Sequence, residues 1–478
     1  MNDQRCVVGG GKFLPPGSPY IEELRKKFRC PNPAYKQAMA LRQNGKYIQV
    51  PDENVYACQM IPIRHPWGTG LMVPRGISLR SQYPDLQVTN RISYPGLTDP
   101  EHSPLYIRHG LSLRPYQQEA VDAIEKHGQG LVIAPCGAGK TFIGLASMTR
   151  FNTKTIVLVH THDLAEQWKD RLEAQLVTRE GKKPHVTLYG GGKRDDSGQI
   201  VIAMFQSVIK ERWEELHEWG KQFGMCIVDE AHHVPATTFS QVMMSMPAKI
   251  RIGLTATPDR PDGLSDILYW HFGKALYRIT TQKLIEEGRV LAPDVHFTRT
   301  RWSPPGKMDW AKLVSNMCND ETRNRQILEM VQEFVTQEHR QVLVLSDRVQ
   351  HCIDMAEQTA NRGVSAAALV GKMSKKQRAE VLSAADRREV KAIFATTVAD
   401  EGLDLPGLDT VILTTPTKAL GRIQQRIGRI MRTAPNKKKP IVIDLVDNAK
   451  PSYYAHKKRA KLYRELGCNV QERWWTLG

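Results

Sequence analysis

The chain of 478 residues has no apolar stretch approaching the roughly 20 residues a helix needs to cross a bilayer, so no membrane span is expected. Its eight cysteines, at positions 6, 30, 58, 136, 226, 318, 352 and 468, never form a Cys-x-x-Cys pair. A zinc ribbon or a Cys-ligated iron–sulfur cluster therefore lacks a ligand set. The N-terminus mixes charge with glycine and has no apolar core of the kind a secretory leader carries. Cys136 and Cys226 sit inside predicted phosphate-site elements where a disulfide would be awkward, so reduced thiols and a cytoplasmic location are expected. No low-complexity tract suggests disorder. Acid is in short supply: 67 Lys and Arg face 50 Asp and Glu, a formal net charge of +17. Such an excess suits a polyanionic partner, because each cation set against a phosphate releases counterions.

What is present is a set of three motifs. The first, Ala134-Pro-Cys-Gly-Ala-Gly-Lys-Thr141, follows the apolar run Leu131 to Ala134 and precedes a helical pattern. In that strand–loop–helix context, backbone N–H groups and a helix N-terminus cradle phosphates. Pro135, Cys136, Gly137, Ala138 and Gly139 form the cradle, Lys140 reaches the outer phosphates, and the Thr141 hydroxyl holds magnesium. It begins with Ala134 where the strict pattern has glycine. The second motif, Asp229-Glu-Ala-His232, ends the apolar run Met225 to Val228, which puts Asp229 and Glu230 at the carboxyl end of a buried strand. Asp229 can bind the metal there, and Glu230 can polarise a water. The third, Gln425-Arg-Ile-Gly-Arg-Ile-Met-Arg432, offers Arg429 and Arg432 at i, i+3 on one predicted helical face.

Between residues 129 and 257 short β-branched runs alternate with helical stretches, and a second such series runs from Gln341 to Leu445. That rhythm reads as βα units on parallel sheets, an α/β chain with two lobes. The expected division is an accessory α+β domain over 1–105, a first lobe over 106–285, a connector over 286–320, a second lobe over 321–447, and a basic tail over 448–478. The connector holds Ser303-Pro-Pro-Gly306; the tail holds Lys457, Lys458, Arg459, Lys461 and Arg464 on a predicted helix, then Trp474 and Trp475.

The ordered motifs resemble those of superfamily 2 helicases and translocases over roughly residues 111 to 447. The Arg114-Pro-Tyr-Gln117 start and the stretch Thr255-Ala-Thr-Pro-Asp-Arg-Pro-Asp-Gly263 look closest to the XPB and UvsW-type group, which includes phage branch-migration helicases. The resemblance implies tandem RecA-like lobes, ATP with magnesium, and catalysis by Lys140, Asp229, Glu230, Gln425, Arg429 and Arg432. It makes Gln117 the adenine contact supported by Arg114. The segment Ala395 to Pro406 becomes the second-lobe motif touching nucleotide, with Gly402 and Asp404 at its centre. His232 would sense lobe closure against Gln425. Nucleic-acid contacts are implied at Thr161, Gln206, Ser207, Ser346, Asp347 and Thr396, with Lys372 as a further phosphate contact. The partner implied is branched, single- or double-stranded DNA, and the setting is the cytoplasm of a bacterium or phage-infected host. Two alternatives stand beside a branched-DNA motor: a DEAH-type RNA helicase, and a motor subunit of a restriction, repair or transcription assembly. Against the RNA reading, no winged-helix and ratchet extension is recognisable after the second lobe; no separate nuclease domain is evident either.

Overall fold

A computed structural model describes residues 5–43, 47–62, 69–96, 103–210, 213–230, 232, 234, 236–257, 263–396, 405, 407–416 and 420–471. The chain divides into two compact units, Met1–Ala134 with Gly139–Arg278, and Ile279–Gly478, with the short piece Pro135–Ala138 grouped with the second. Among the described residues no helix is long and apolar enough to cross a membrane, and all eight cysteines are free thiols.

The first unit is built on an eight-stranded sheet, in the order Lys193–Arg194, Val186–Gly190, Ile200–Met204, Thr155–Val159, Met225–Asp229, Ile250–Thr255, Gln129–Ile133 and Ala275–Arg278. Every pairing is parallel except that of Lys193–Arg194. Continuous apolar strands such as Thr155–Val159, buried along their length, are what a parallel sheet covered on both faces demands. The helix Pro115–His127 starts on a proline and stops at Gly128 (φ 70°), the left-handed C-cap that glycine adopts without penalty.

The N-terminal region forms a mixed five-stranded sheet, Gln59–Pro62, Thr69–Val73, Lys12–Leu14, Arg5–Val8 and Gln87–Asn90, with helices Ile21–Lys27 and Pro33–Gln43. Among the described residues it has no core of its own. Cys6, Leu14, Leu24, Phe28, Leu71 and Val73 belong to one continuous apolar cluster with Val242, Met243, Met246 and Phe272 of the parallel lobe. Two buried arginines stitch the seam. Arg75 donates to the Gly9 carbonyl (3.1 Å) and Gln129 Oε1 (2.6 Å). Arg251 Nη2 donates to the carbonyls of Gly10 (2.7 Å), Met243 (2.9 Å) and Met246. Gly10 lies so close that a Cβ there would collide with the Met244 carbonyl.

The second unit carries a seven-stranded parallel sheet, in the order Ala366–Leu369, Ala392–Ala395, Val342–Leu345, Thr410–Leu413, Ile441–Val446, Asp294–Arg299 and Asn469–Gln471. Two expected boundaries are corrected by it. The interval 286–320 is not simply a connector, because Asp294–Arg299 pairs along its whole length with Ile441–Val446. The tail from 448 is not a separate basic appendage: helix Lys450–Glu465 is anchored by Arg459, which donates to Asp444 Oδ1 (2.6 Å) and Oδ2 (2.7 Å), and by Tyr463 OH to Asp444 Oδ2 (2.7 Å). Asp444 sits mid-strand with its side chain fully buried, where a carboxylate persists only if paired and hydrogen-bonded. Asp447, also buried, takes Arg323 Nε at 2.6 Å and Thr300 Oγ1 at 2.5 Å.

The seam in the first unit is testable. Gly10→Ala is expected to cost about 1–3 kcal/mol through overpacking and to lower the thermal melting temperature. Gly96→Ala, whose added Cβ would meet nothing within 4 Å, serves as the silent control.

Candidate active site

Three adjacent parallel strands, Gln129–Ile133, Ile250–Thr255 and Met225–Asp229, run in register so that Thr255 pairs Ile133 and Asp229 pairs Leu254. Their carboxyl ends therefore lie side by side, the edge at which open α/β sheets bind ligands. The chain leaves Ile133 into the Gly-rich loop. Gly137 (φ 86°) and Gly139 (φ 78°) both take left-handed backbone, and Gly139 caps helix Lys140–Phe151. A helix N-terminus there turns its backbone N–H groups and a positive dipole end toward an anion.

Lys140 Nζ lies 3.1 Å from Glu230 Oε1 and donates to the Ala134 carbonyl at 3.3 Å. Glu230 takes left-handed backbone (φ 48°), uncommon for a residue with a Cβ, and its amide donates to the Leu254 carbonyl at 3.0 Å. His232, 4% exposed, has Nδ1 3.1 Å from Thr255 Oγ1 and 3.4 Å from Glu230 Oε2. Thr255 Oγ1 in turn donates to the Thr257 carbonyl at 2.5 Å and accepts the Thr257 amide at 3.2 Å. A polar chain thus joins the acidic motif to the Thr-Ala-Thr segment within one unit.

Asp229 is buried. Burial and the neighbouring Glu230 carboxylate push its carboxyl above the usual range, while Lys140 and the Trp168 N–H pull it down. Its Oδ2 accepts from Trp168 Nε1 at 2.9 Å, and its Oδ1 is buried with no hydrogen-bond partner. An orphaned carboxylate oxygen in such a place fits a cation. Thr141, whose Oγ1 accepts from Arg171 Nη1 at 2.7 Å, keeps a second lone pair free. Asp229 and Thr141 are thus a hard-oxygen set suited to magnesium, which is held by few protein groups and completed by phosphate and water. Bound there, magnesium would neutralise charge on the phosphates of a nucleotide.

Residues 110–260 match the family described as the Type III restriction enzyme res subunit, and residues 325–434 match the helicase conserved C-terminal domain. The chain belongs to the superfamily 2 helicases. Among its relatives is the DNA 3'-5' translocase XPB2 of Sulfurisphaera tokodaii, 26% identical over 398 residues, covering 74% of this chain and 85% of that protein. A mimivirus protein provisionally named an ATP-dependent RNA helicase is 28% identical over 375 residues, covering 76% of this chain and 69% of the relative. The fold is shared with a fragment provisionally assigned as the HsdR subunit of a type I restriction enzyme from Vibrio vulnificus. That match has a TM-score of 0.58 at 17% identity and covers 77% of this chain and 69% of that one. The helicase is ATP-dependent, as this family is.

Other expected site residues stand as follows. Gln117 is 3% exposed; its Oε1 accepts the Arg114 amide at 3.0 Å, and its Nε2 would stand only 2.5 Å from a Cβ on Gly139. The carboxamide is thereby set against the Gly-rich loop, and Arg114 Nη1 donates to Tyr116 OH at 2.8 Å. Thr161 caps helix His162–Gln175, accepting the Leu164 amide, and Gln206 Nε2 donates to the His160 carbonyl at 3.0 Å. The ends of strands Thr155–Val159 and Ile200–Met204 are thus tied together beside a half-buried Ser207.

In the second unit Gln425 and Arg429 share helix Leu420–Ile430, but Arg432 does not extend their helical face. The helix ends at Ile430, and Arg432 instead forms a bridge with Val290. Ser346 is also corrected as a surface contact. It is 2% exposed, and its hydroxyl lies 2.9 Å from His351 Nδ1 and accepts the Arg348 amide at 3.2 Å. Thr396 is 7% exposed, Asp347 is half-buried with its amide donating to Thr415 Oγ1 at 3.2 Å, and Lys372 is exposed. Gly402 and Asp404 lie outside the described residues. Trp168 and Arg171 carry no sequence signal as site residues, since a Trp on an amphipathic helix reads as core.

Glu230→Gln is expected to keep nucleotide affinity within about threefold while losing about 10²-fold or more in turnover, the range for removing a general base. Lys140→Ala should abolish turnover. Equilibrium nucleotide binding alongside steady-state ATPase rates separates the two effects.

Proposed function

We propose that this helicase is an ATP-driven DNA translocase that remodels branched DNA, moving forks or four-way junctions in recombination, repair or replication. The observation that carries the reading is the seam between the N-terminal sheet and the first lobe. A domain sharing that lobe's core, and held by Arg75 and Arg251, is carried rigidly with the lobe. A rigid outrigger on one motor lobe converts each ATP-driven movement into a force at a strand junction. The formal net charge of +17 supports a nucleic-acid track held through phosphates, and the archaeal relative is named as a DNA translocase.

In this reading Lys140 leaves Glu230 to meet the outer phosphates of ATP, which frees the Glu230 carboxylate to orient and deprotonate the attacking water. Asp229 and Thr141 would hold magnesium, which would neutralise phosphate charge, and Gln425, Arg429 and Arg432 would add the charge stabilisation that phosphoryl transfer requires. Thr161, Gln206, Ser207, Asp347, Lys372 and Thr396 line the strand's path. The name of the mimivirus relative favours a second reading, an RNA helicase using the same site.

ATPase rates at fixed salt with single-stranded DNA, duplex DNA, a four-way junction and RNA decide between these. The branched substrate is expected to stimulate most, and ATP-dependent junction movement should accompany it. Greatest stimulation by RNA would instead establish the second reading. Hydrolysis without junction movement would leave a translocase that does not remodel. The 3'-5' direction in the archaeal relative's name is the polarity expected in a strand-displacement assay.

A further inference from the structure

We infer that Trp168 is a positioning residue that sets the rotation of Asp229, leaving one defined carboxylate oxygen for magnesium. The inference rests on the reading of Asp229 as a magnesium holder. A carboxylate at a strand end can rotate about its terminal torsion, which is broad and twofold. Here the Trp168 indole N–H removes that freedom by donating to Oδ2 at 2.9 Å, while Oδ1 remains buried and without a hydrogen-bond partner. An indole N–H is a donor only, so the contact can hold a carboxylate without ever competing for the metal.

The indole is itself held. Trp168 lies on helix His162–Gln175 and is 2% exposed. Its ring packs against helix Lys140–Phe151 at Gly144, where a Cβ would stand 2.8 Å from Cη2. A glycine in a helix interior is unfavourable on propensity alone, and Gly144 takes a place that any side chain would dispute with the ring. The Gly-rich loop's own helix, the Trp168 helix and the strand ending in Asp229 therefore converge on one hydrogen bond. Groups hydrogen-bonded behind a metal ligand orient it, and their loss weakens metal binding without removing a ligand.

The test uses fluorescence anisotropy of a labelled, non-hydrolysable ATP analogue, titrated with magnesium for the full chain, Trp168→Phe and Gly144→Ala. Trp168→Phe keeps an aromatic ring and loses the N–H. Gly144→Ala keeps the N–H and displaces the ring, so it serves if the first variant folds poorly. Half-saturating magnesium is expected to rise about 10-fold in Trp168→Phe and by a smaller factor in Gly144→Ala, with analogue binding in EDTA unchanged. An unchanged magnesium requirement in both variants overturns the inference. So does an equal loss of binding with and without magnesium, which would make Trp168 a packing residue only. Should the parent chain itself show no magnesium-dependent binding, the reading of the site fails instead, and the two failures are thereby told apart.

Discussion

A carboxylate buried at the end of a parallel strand is the constraint around which the first lobe is arranged. Asp229 is cut off from water, which raises the free energy of its charged form, and Glu230 beside it adds like-charge repulsion. Three elements answer this. The Gly-rich loop's helix brings Lys140 to Glu230, the next helix brings Trp168 to Asp229, and the neighbouring strand brings Thr255 to His232. The Lys140–Glu230 pair, 3.1 Å apart, balances two charges at the carboxyl edge of the parallel sheet.

The N-terminal region shows how a small domain can be stable without a core of its own. Its strands are three to five residues long, too short to bury much apolar surface alone, and the sheet instead shares the parallel lobe's cluster. Arg75 and Arg251 meet backbone carbonyls at the seam, which gives buried guanidinium groups acceptors without requiring acidic partners. The second lobe solves the opposite problem: buried Asp444 pairs with Arg459, which fixes where the last helix docks on the sheet, and buried Asp447 pairs with Arg323 of a helix distant in sequence.

The motif residues are legible in the amino-acid sequence because phosphate chemistry leaves few choices. A lysine and a hydroxyl must follow a glycine-rich turn, and acids must end a buried strand. The apolar runs from Leu131 to Ala134 and from Met225 to Val228 give the strands their places for the same reason. Arg432 departs from its expected helical face because i, i+3 spacing says nothing about where a helix stops, and pairing with Val290 takes over beyond this one. Ser346 departs from its expected surface role because a polar residue after a strand looks solvated until His351, from the following helix, is seen to cover it. The strand Asp294–Arg299 escapes a reading by pattern because alternating polar residues and nearby prolines hide it, and its partner lies far along the chain.

The sequence by itself determined the helicase family motifs and the two-lobed α/β architecture, because both follow from local pattern: a motif's spacing and the period of buried strands. Only the tertiary structure decided that the N-terminal sheet is fused to the first lobe, that the last helix belongs to the second, and that Trp168 and Arg171 stand behind Asp229 and Thr141. Those facts depend on contacts between residues distant in sequence, whose buried polar groups find partners only once the chain has packed.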